Sequence, residues 1–207
     1  MGIQISRHNS QSITTTSDIS FLPLICVDIS QSVSNINKWC NTIAELTKQF
    51  SLDSECYPSY RIGCNDEELS PLTTKEYLRG FTEIQQAVEE ACLLPVNNQK
   101  SFGDIIEKAM EISKQYIKVG SYEHIVVFIM SDAVSCNPQN DLWQVSAAEK
   151  YPITIILLTE DRKSGKAKEL KHRDNFYQVE SSQSSTKALV DIIVKRHNSL
   201  NVPELEL

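Results

Sequence analysis

The chain has 207 residues, with 27 acidic and 20 basic side chains and a formal net charge of −7. This length suits one domain with a sizeable buried core, and the acidic balance argues against nucleic acid as a partner. No apolar run approaches the ~20 residues of a membrane-spanning helix, and the polar N-terminus is unlike a secretory signal. The six cysteines lack zinc-binding spacing, so we predict reduced thiols in a cytoplasmic protein.

The first half of the chain predicts a flexible arm followed by alternating strands and helices. Residues 1–19 are rich in Ser, Thr and Gln, which is typical of a disordered arm. The apolar run 22–29 lacks alternation and predicts a strand buried on both faces. Helical spacing of apolar residues predicts a helix over 36–50, a second strand is expected over 57–64, and a short helix over 81–92.

The second half continues the alternation and completes an α/β domain. A long helix is predicted over 102–118 and the strongest strand over 124–130. The remaining predicted elements are a helix over 142–150, strands over 153–158 and 176–179, a helix over 186–197, and a solvated basic helix face over 162–173. Apolar strands that alternate with helices indicate a doubly wound, mostly parallel sheet flanked by helices on both faces, a Rossmann-like three-layer sandwich. The domain is expected over residues 20–200, followed by a short acidic tail, 201–207.

Polar side chains follow two of the predicted strands and one connecting loop. The strand that starts at residue 22 runs into an Asp-x-Ser-x-Ser motif, a second acid follows the strand of 124–130, and a third loop precedes the long helix. Because the carboxyl ends of parallel strands form the ligand edge of an open sheet, we expect these loops to converge. Hard oxygen ligands of this kind suit Mg²⁺ or Mn²⁺. The candidate metal ligands are Asp28, Ser30, Ser32, Ser101 and Asp132. Taken alone, the motif equally fits a Ser-rich turn that caps a helix.

With these loops on one edge, the chain resembles a von Willebrand factor A (vWA) domain. That family's metal-ion-dependent adhesion site combines Asp-x-Ser-x-Ser with a Thr on a second loop and an Asp on a third. The copine subset is the most similar, over residues 20–203. The segments that carry this finer resemblance are 60–63, 79–81, 101–106 and 174–176. The resemblance implies a non-enzymatic adaptor or regulatory module that binds a protein partner, with an acidic side chain of the partner completing the metal shell.

The sequence departs from the family pattern where the metal-ligating Thr is expected, because Lys100 stands there. A protonated Lys has no lone pair to offer a metal. Two arrangements remain open. If Lys100 points inward, its ammonium replaces the metal between Asp28 and Asp132, and the site is metal-free. If it points outward, Ser101 supplies the missing hydroxyl and the metal stays. A smaller departure is Ala133, where the family usually has Gly.

The N-terminus carries a lipidation pattern. Gly2 follows the initiator Met and Ser6 lies four residues later, which fits N-myristoylation. A single myristoyl chain binds membranes only reversibly, with an association constant of ~10⁴ M⁻¹. We therefore expect reversible, peripheral contact with the cytoplasmic face of a membrane.

An enzyme is the alternative class. A metal-dependent hydrolase or phosphotransferase would use Asp28 as nucleophile and Asp132 as a metal ligand. Against it, Ser30 stands where a second Asp would help, and the chain has neither a Gly-x-Ser-x-Gly elbow nor a phosphate-binding Gly-rich loop. The histidines stand in no nucleophile context; they are His8, His124, His172 and His197. A third reading is a degenerate vWA domain whose metal site is vestigial.

Overall fold

The computed structural model describes residues 16, 19–28, 36–50, 56–62, 77–79, 83, 86, 102–119, 124–130, 138–159, 170–180 and 186–200. Six strands and four α-helices lie within these ranges, in the order β1 (Leu22–Asp28), α1 (Ile36–Gln49), β2 (Cys56–Ile62), β3 (Tyr77–Arg79), α2 (Phe102–Val119), β4 (Ile125–Met130), α3 (Pro138–Ala148), β5 (Ile153–Thr159), β6 (Phe176–Glu180) and α4 (Thr186–Leu200). A 3-10 turn, Leu170–His172, precedes β6.

The strands form one sheet in the order β3-β2-β1-β4-β5-β6. All neighbouring pairs are parallel except β2 and β3, which pair antiparallel at one edge. The predicted α/β fold, a doubly wound and mostly parallel sheet, is therefore confirmed. The antiparallel edge strand β3 is an addition that the sequence pattern did not predict.

Both faces of the sheet are buried, because successive side chains of the central strands point to opposite sides. On one face, Ile25 and Val27 of β1 belong to a core cluster with residues of α1 and α4. On the other face, Leu24 and Cys26 belong to a second cluster with residues of α2 and α3. This arrangement explains the lack of alternation in the β1 sequence, since a strand covered on both sides has no polar face. The sandwich therefore has three layers.

The thiol of Cys26 is free and buried inside β1. Burial raises the pKa of this thiol far above its ordinary value, so it stays protonated and packs as a small apolar group. This agrees with a structural role for Cys26.

Several element bounds differ from the predicted ones. The helix predicted from residue 142 begins at Pro138, because a proline suits the first turn of a helix, where its missing N–H is not needed. The final helix continues to Leu200. Glu83 and Gln86, within the predicted helix of 81–92, are helical. In the basic stretch, the described part is a 3-10 turn whose Leu170 is buried against the second core cluster.

Among the described residues, none of the helices combines the length and the apolar character that crossing a membrane would require.

Candidate functional site

The two strands that carry the predicted metal motif lie side by side at the centre of the sheet. β1 and β4 pair in parallel, with a register that runs from Leu22 opposite Ile125 to Val27 opposite Met130. Asp28 is the last residue of β1, and on the other side of this strand it pairs with Ile62 of β2. Asp28 therefore stands at the carboxyl edge of the sheet, next to the end of β4.

The helices that follow β1 and β4 lie on opposite faces of the sheet. The helix after β1, α1, packs on one face of the sheet, and the helix after β4, α3, packs on the other. Neighbouring strands whose connections diverge in this way form the topological switch point of a doubly wound sheet. In doubly wound folds, ligands bind in the crevice at such a switch point.

The third predicted loop precedes a helix that begins toward the same edge. The helix that it precedes, α2, has 18 residues and packs on the sheet through Ile106 and Met110. This helix measures ~27 Å in length. Only residues 120–124 join its end to β4, so the end lies near the start of β4 and the beginning, at Phe102, lies toward the carboxyl edge.

The structure describes the strand ends rather than the whole predicted ligand set. Asp132 comes two residues after Met130, the end of β4. The residues of the site that lie outside the described ranges are Ser30, Ser32, Lys100, Ser101 and Asp132, together with the lipidation candidate Gly2. Within the described ranges, no group of three or more His, Cys, Asp or Glu side chains is placed to hold a metal. The ligand set around Asp28 thus stays a prediction, on a sheet edge whose topology suits it.

No protein-family model and no curated protein matches the sequence. Solved structures with a similar fold are found. Proximal thread matrix protein 1 from the mussel byssus, in a structure with a zinc-occupied MIDAS (adhesion-site) motif, superposes with a TM-score of 0.58 at 12% identity, over 86% of this chain and 48% of that one. The SpRpn10 VWA domain gives a TM-score of 0.51 at 18% identity, over 86% of this chain and 95% of that domain. The fold is that of a vWA domain.

A third neighbour is the N-terminal domain of TFIIH p34, with a TM-score of 0.51 and 13% identity over 87% of this chain and 100% of that domain. This chain spans about half the length of the mussel thread protein. At such identities the likeness extends to the vWA fold and no further. The resemblance to the copine subset stays a prediction.

The opposite, amino edge of the vWA sheet holds a polar cluster to which the sequence analysis gave no role. His124, directly before β4, is fully buried, and its Nε2 lies 2.7 Å from the hydroxyl oxygen of Thr154 in β5. The ring of His197, in the last turn of α4, lies with its centroid 6.0 Å from that of His124. The His124 Nδ1 atom is buried and has no hydrogen-bond partner.

Burial is the largest cause of a lowered His124 pKa, and the charges of His197 and Arg196 lower it further, to about 3. His124 is therefore neutral at physiological pH. The available sequence signal was a histidine at the start of an otherwise apolar strand. It was not sufficient, because the burial of His124 depends on α4, which lies about 70 residues later in the chain.

Proposed function

We propose that this chain is a non-enzymatic binding module of the copine-like vWA type. A protein partner would bind the loop face around Asp28, Ser30, Ser32 and Asp132. The observation that carries the proposal is the parallel pairing of β1 and β4, with Val27 opposite Met130, at the switch point of the sheet. In doubly wound folds this is the ligand edge.

The residue types at this edge suit a hard divalent cation. The carboxylates of Asp28 and Asp132 and the hydroxyls of Ser30, Ser32 and Ser101 would hold Mg²⁺ or Mn²⁺, which prefer oxygen ligands. A structural neighbour with a zinc-occupied MIDAS motif supports metal binding by this fold. A bound metal would supply the positive charge to which an acidic side chain of the partner binds.

Lys100 offers the second arrangement. Its ammonium, placed between Asp28 and Asp132, would neutralise the two carboxylates without a metal. Partner recognition would then depend on the surrounding loops, 66–71 and 135–140. In both arrangements the two acids share one cation, and that shared cation is the core of the proposal.

Calorimetric titration of the full chain with Mg²⁺ and Mn²⁺ distinguishes the two arrangements. If Ser101 completes the shell, the wild type binds the metal, and Ser101→Ala weakens binding by at least about tenfold, the low end for groups that support a metal site. If Lys100 replaces the metal, neither protein binds. Tight binding that survives Ser101→Ala would contradict both accounts of Lys100.

We also propose that Gly2 is N-myristoylated and that the chain contacts the cytoplasmic face of a membrane reversibly. The pattern of Gly2 and Ser6 supports this. Co-expression with an N-myristoyltransferase should add the mass of one myristoyl group, and Gly2→Ala should abolish the addition. An unchanged mass of the wild type would overturn the proposal.

A further inference from the structure

His124 is enclosed at the amino edge of the sheet by elements that offer its ring a single polar contact. From β5 it receives the hydroxyl of Thr154, 2.7 Å from Nε2. Ahead of β1, the ring of Phe21 lies 6.3 Å away, centroid to centroid. The charged or titratable groups that face His124 come from α4, and they are His197 and Arg196. Both groups lower the pKa of His124.

A second proton on the His124 ring, which turns both ring nitrogens into N–H donors, would be unfavourable in this enclosure. It would place a buried N–H without an acceptor, since Nδ1 has no partner. It would also place a positive charge beside His197 and Arg196 of α4, both of which lower the pKa of His124. The free-energy cost of such a buried, unpaired charge falls when water reaches the ring.

The element best able to admit water is the C-terminal end of α4. His124 is otherwise enclosed by the central strands β1, β4 and β5, which are hydrogen-bonded to one another along their length. α4 is held by apolar packing of Leu189 and Ile193 in the first core cluster. At the start of α4, the hydroxyl of Thr186 donates a hydrogen bond of 2.9 Å to the Glu45 carboxylate of α1. Near its end, the ring of His197 lies 6.0 Å from the ring of His124, centroid to centroid.

We propose that the last two turns of α4 form an acid-sensitive latch, which is docked while His124 is neutral and released when His124 is protonated. The direction of the pH effect on docking follows from the lowered pKa of His124. His124 binds its proton near pH 6.5 when hydrated and near pH 3 when enclosed, so the docked state is fully favoured above pH 6.5 and loses its advantage as the pH falls. Between these limits the opening equilibrium rises about tenfold per pH unit.

Amide hydrogen exchange of the full chain at pH 7 and pH 5, corrected for the intrinsic pH dependence of exchange, tests the latch. The opening constant of the amides of residues 196–200 should rise about 25-fold between the two pH values, as follows from the two His124 pKa values. Amides of β4 and those near Leu189 should keep their protection. An unchanged opening constant at residues 196–200 would overturn the proposal, and so would an equal rise throughout β4, which would indicate global unfolding.

A variant and its matched control assign the effect to His124. His124→Phe keeps a planar ring beside Phe21 and cannot titrate, so the pH dependence of residues 196–200 should vanish. His172→Phe, at an exposed position of the 3-10 turn, should leave it intact. The wild-type ring signal of His124 gives a test that does not depend on a folded variant. Its chemical shift in the docked state should not titrate between pH 7 and pH 5, and an ordinary titration curve there would contradict the latch.

Discussion

Replacing Lys100 by Thr is expected to raise the Mg²⁺ affinity of the chain by about 100-fold or more, provided that the Lys100 ammonium lies between the two acids. The substitution removes a cation that competes with the metal and supplies the hydroxyl typical of vWA domains. Two positive charges ~4 Å apart repel by about 4 kcal/mol at an effective dielectric constant near 20, so the competing cation dominates the balance. Calorimetric titration of the wild type and the variant measures the difference.

Two further variants serve as controls for the Lys100→Thr result. Lys48→Thr, at an exposed position in the last turn of α1, makes the same chemical change toward the amino edge of the sheet and should not alter metal affinity. Asp28→Asn, added to Lys100→Thr, should abolish the gained binding, because it removes a charged ligand. A Lys100→Thr variant with the affinity of the wild type would show that Lys100 does not occupy the cation position.

The second large effect is expected in the core. Phe128 lies in the middle of β4, is fully buried, and belongs to the cluster that β1, α1 and α4 share. Phe128→Ala should lower the free energy of unfolding by about 3–5 kcal/mol, because it removes a large apolar side chain and leaves a cavity. Urea denaturation of the two proteins, followed by circular dichroism, measures this loss.

Trp143 of α3 gives the matched control for the core prediction. Its side chain is a large aromatic with 65% of its surface exposed. Trp143→Ala should therefore change the free energy of unfolding by no more than about 0.5 kcal/mol. A loss at position 128 as small as that at position 143 would mean that the face of the sheet toward α1 and α4 is not packed as the first core cluster indicates.

The architecture followed from the sequence where burial leaves a strong pattern. β1, β4 and β5 are predominantly apolar because both faces of each strand are covered, and their apolar runs predicted central parallel strands. β3 was not predicted, since a three-residue edge strand such as Tyr77–Arg79 is too short to show periodicity. The early start of α3 was missed because its apolar pattern begins only at Leu142, four residues after Pro138.

The candidate sites differ in how far each could be predicted from the sequence. For Asp28, motif spacing and the rule for ligand edges gave a position at the end of β1, and the topology places it beside β4. The orientation of Lys100 has no sequence signal, because its long flexible stem can carry the ammonium inward or outward. The His124 cluster was missed because residues from β4, β5 and α4 meet there only in the folded chain.

We propose that Asp28 and Asp132 share one cation at the carboxyl edge of the vWA sheet. The most direct test is a high-resolution crystal structure of the full chain grown with Mg²⁺. We expect density between the two carboxylates, either for a metal ion with oxygen ligands or for the ammonium of Lys100. Carboxylates that point apart, with only solvent between them, would contradict it.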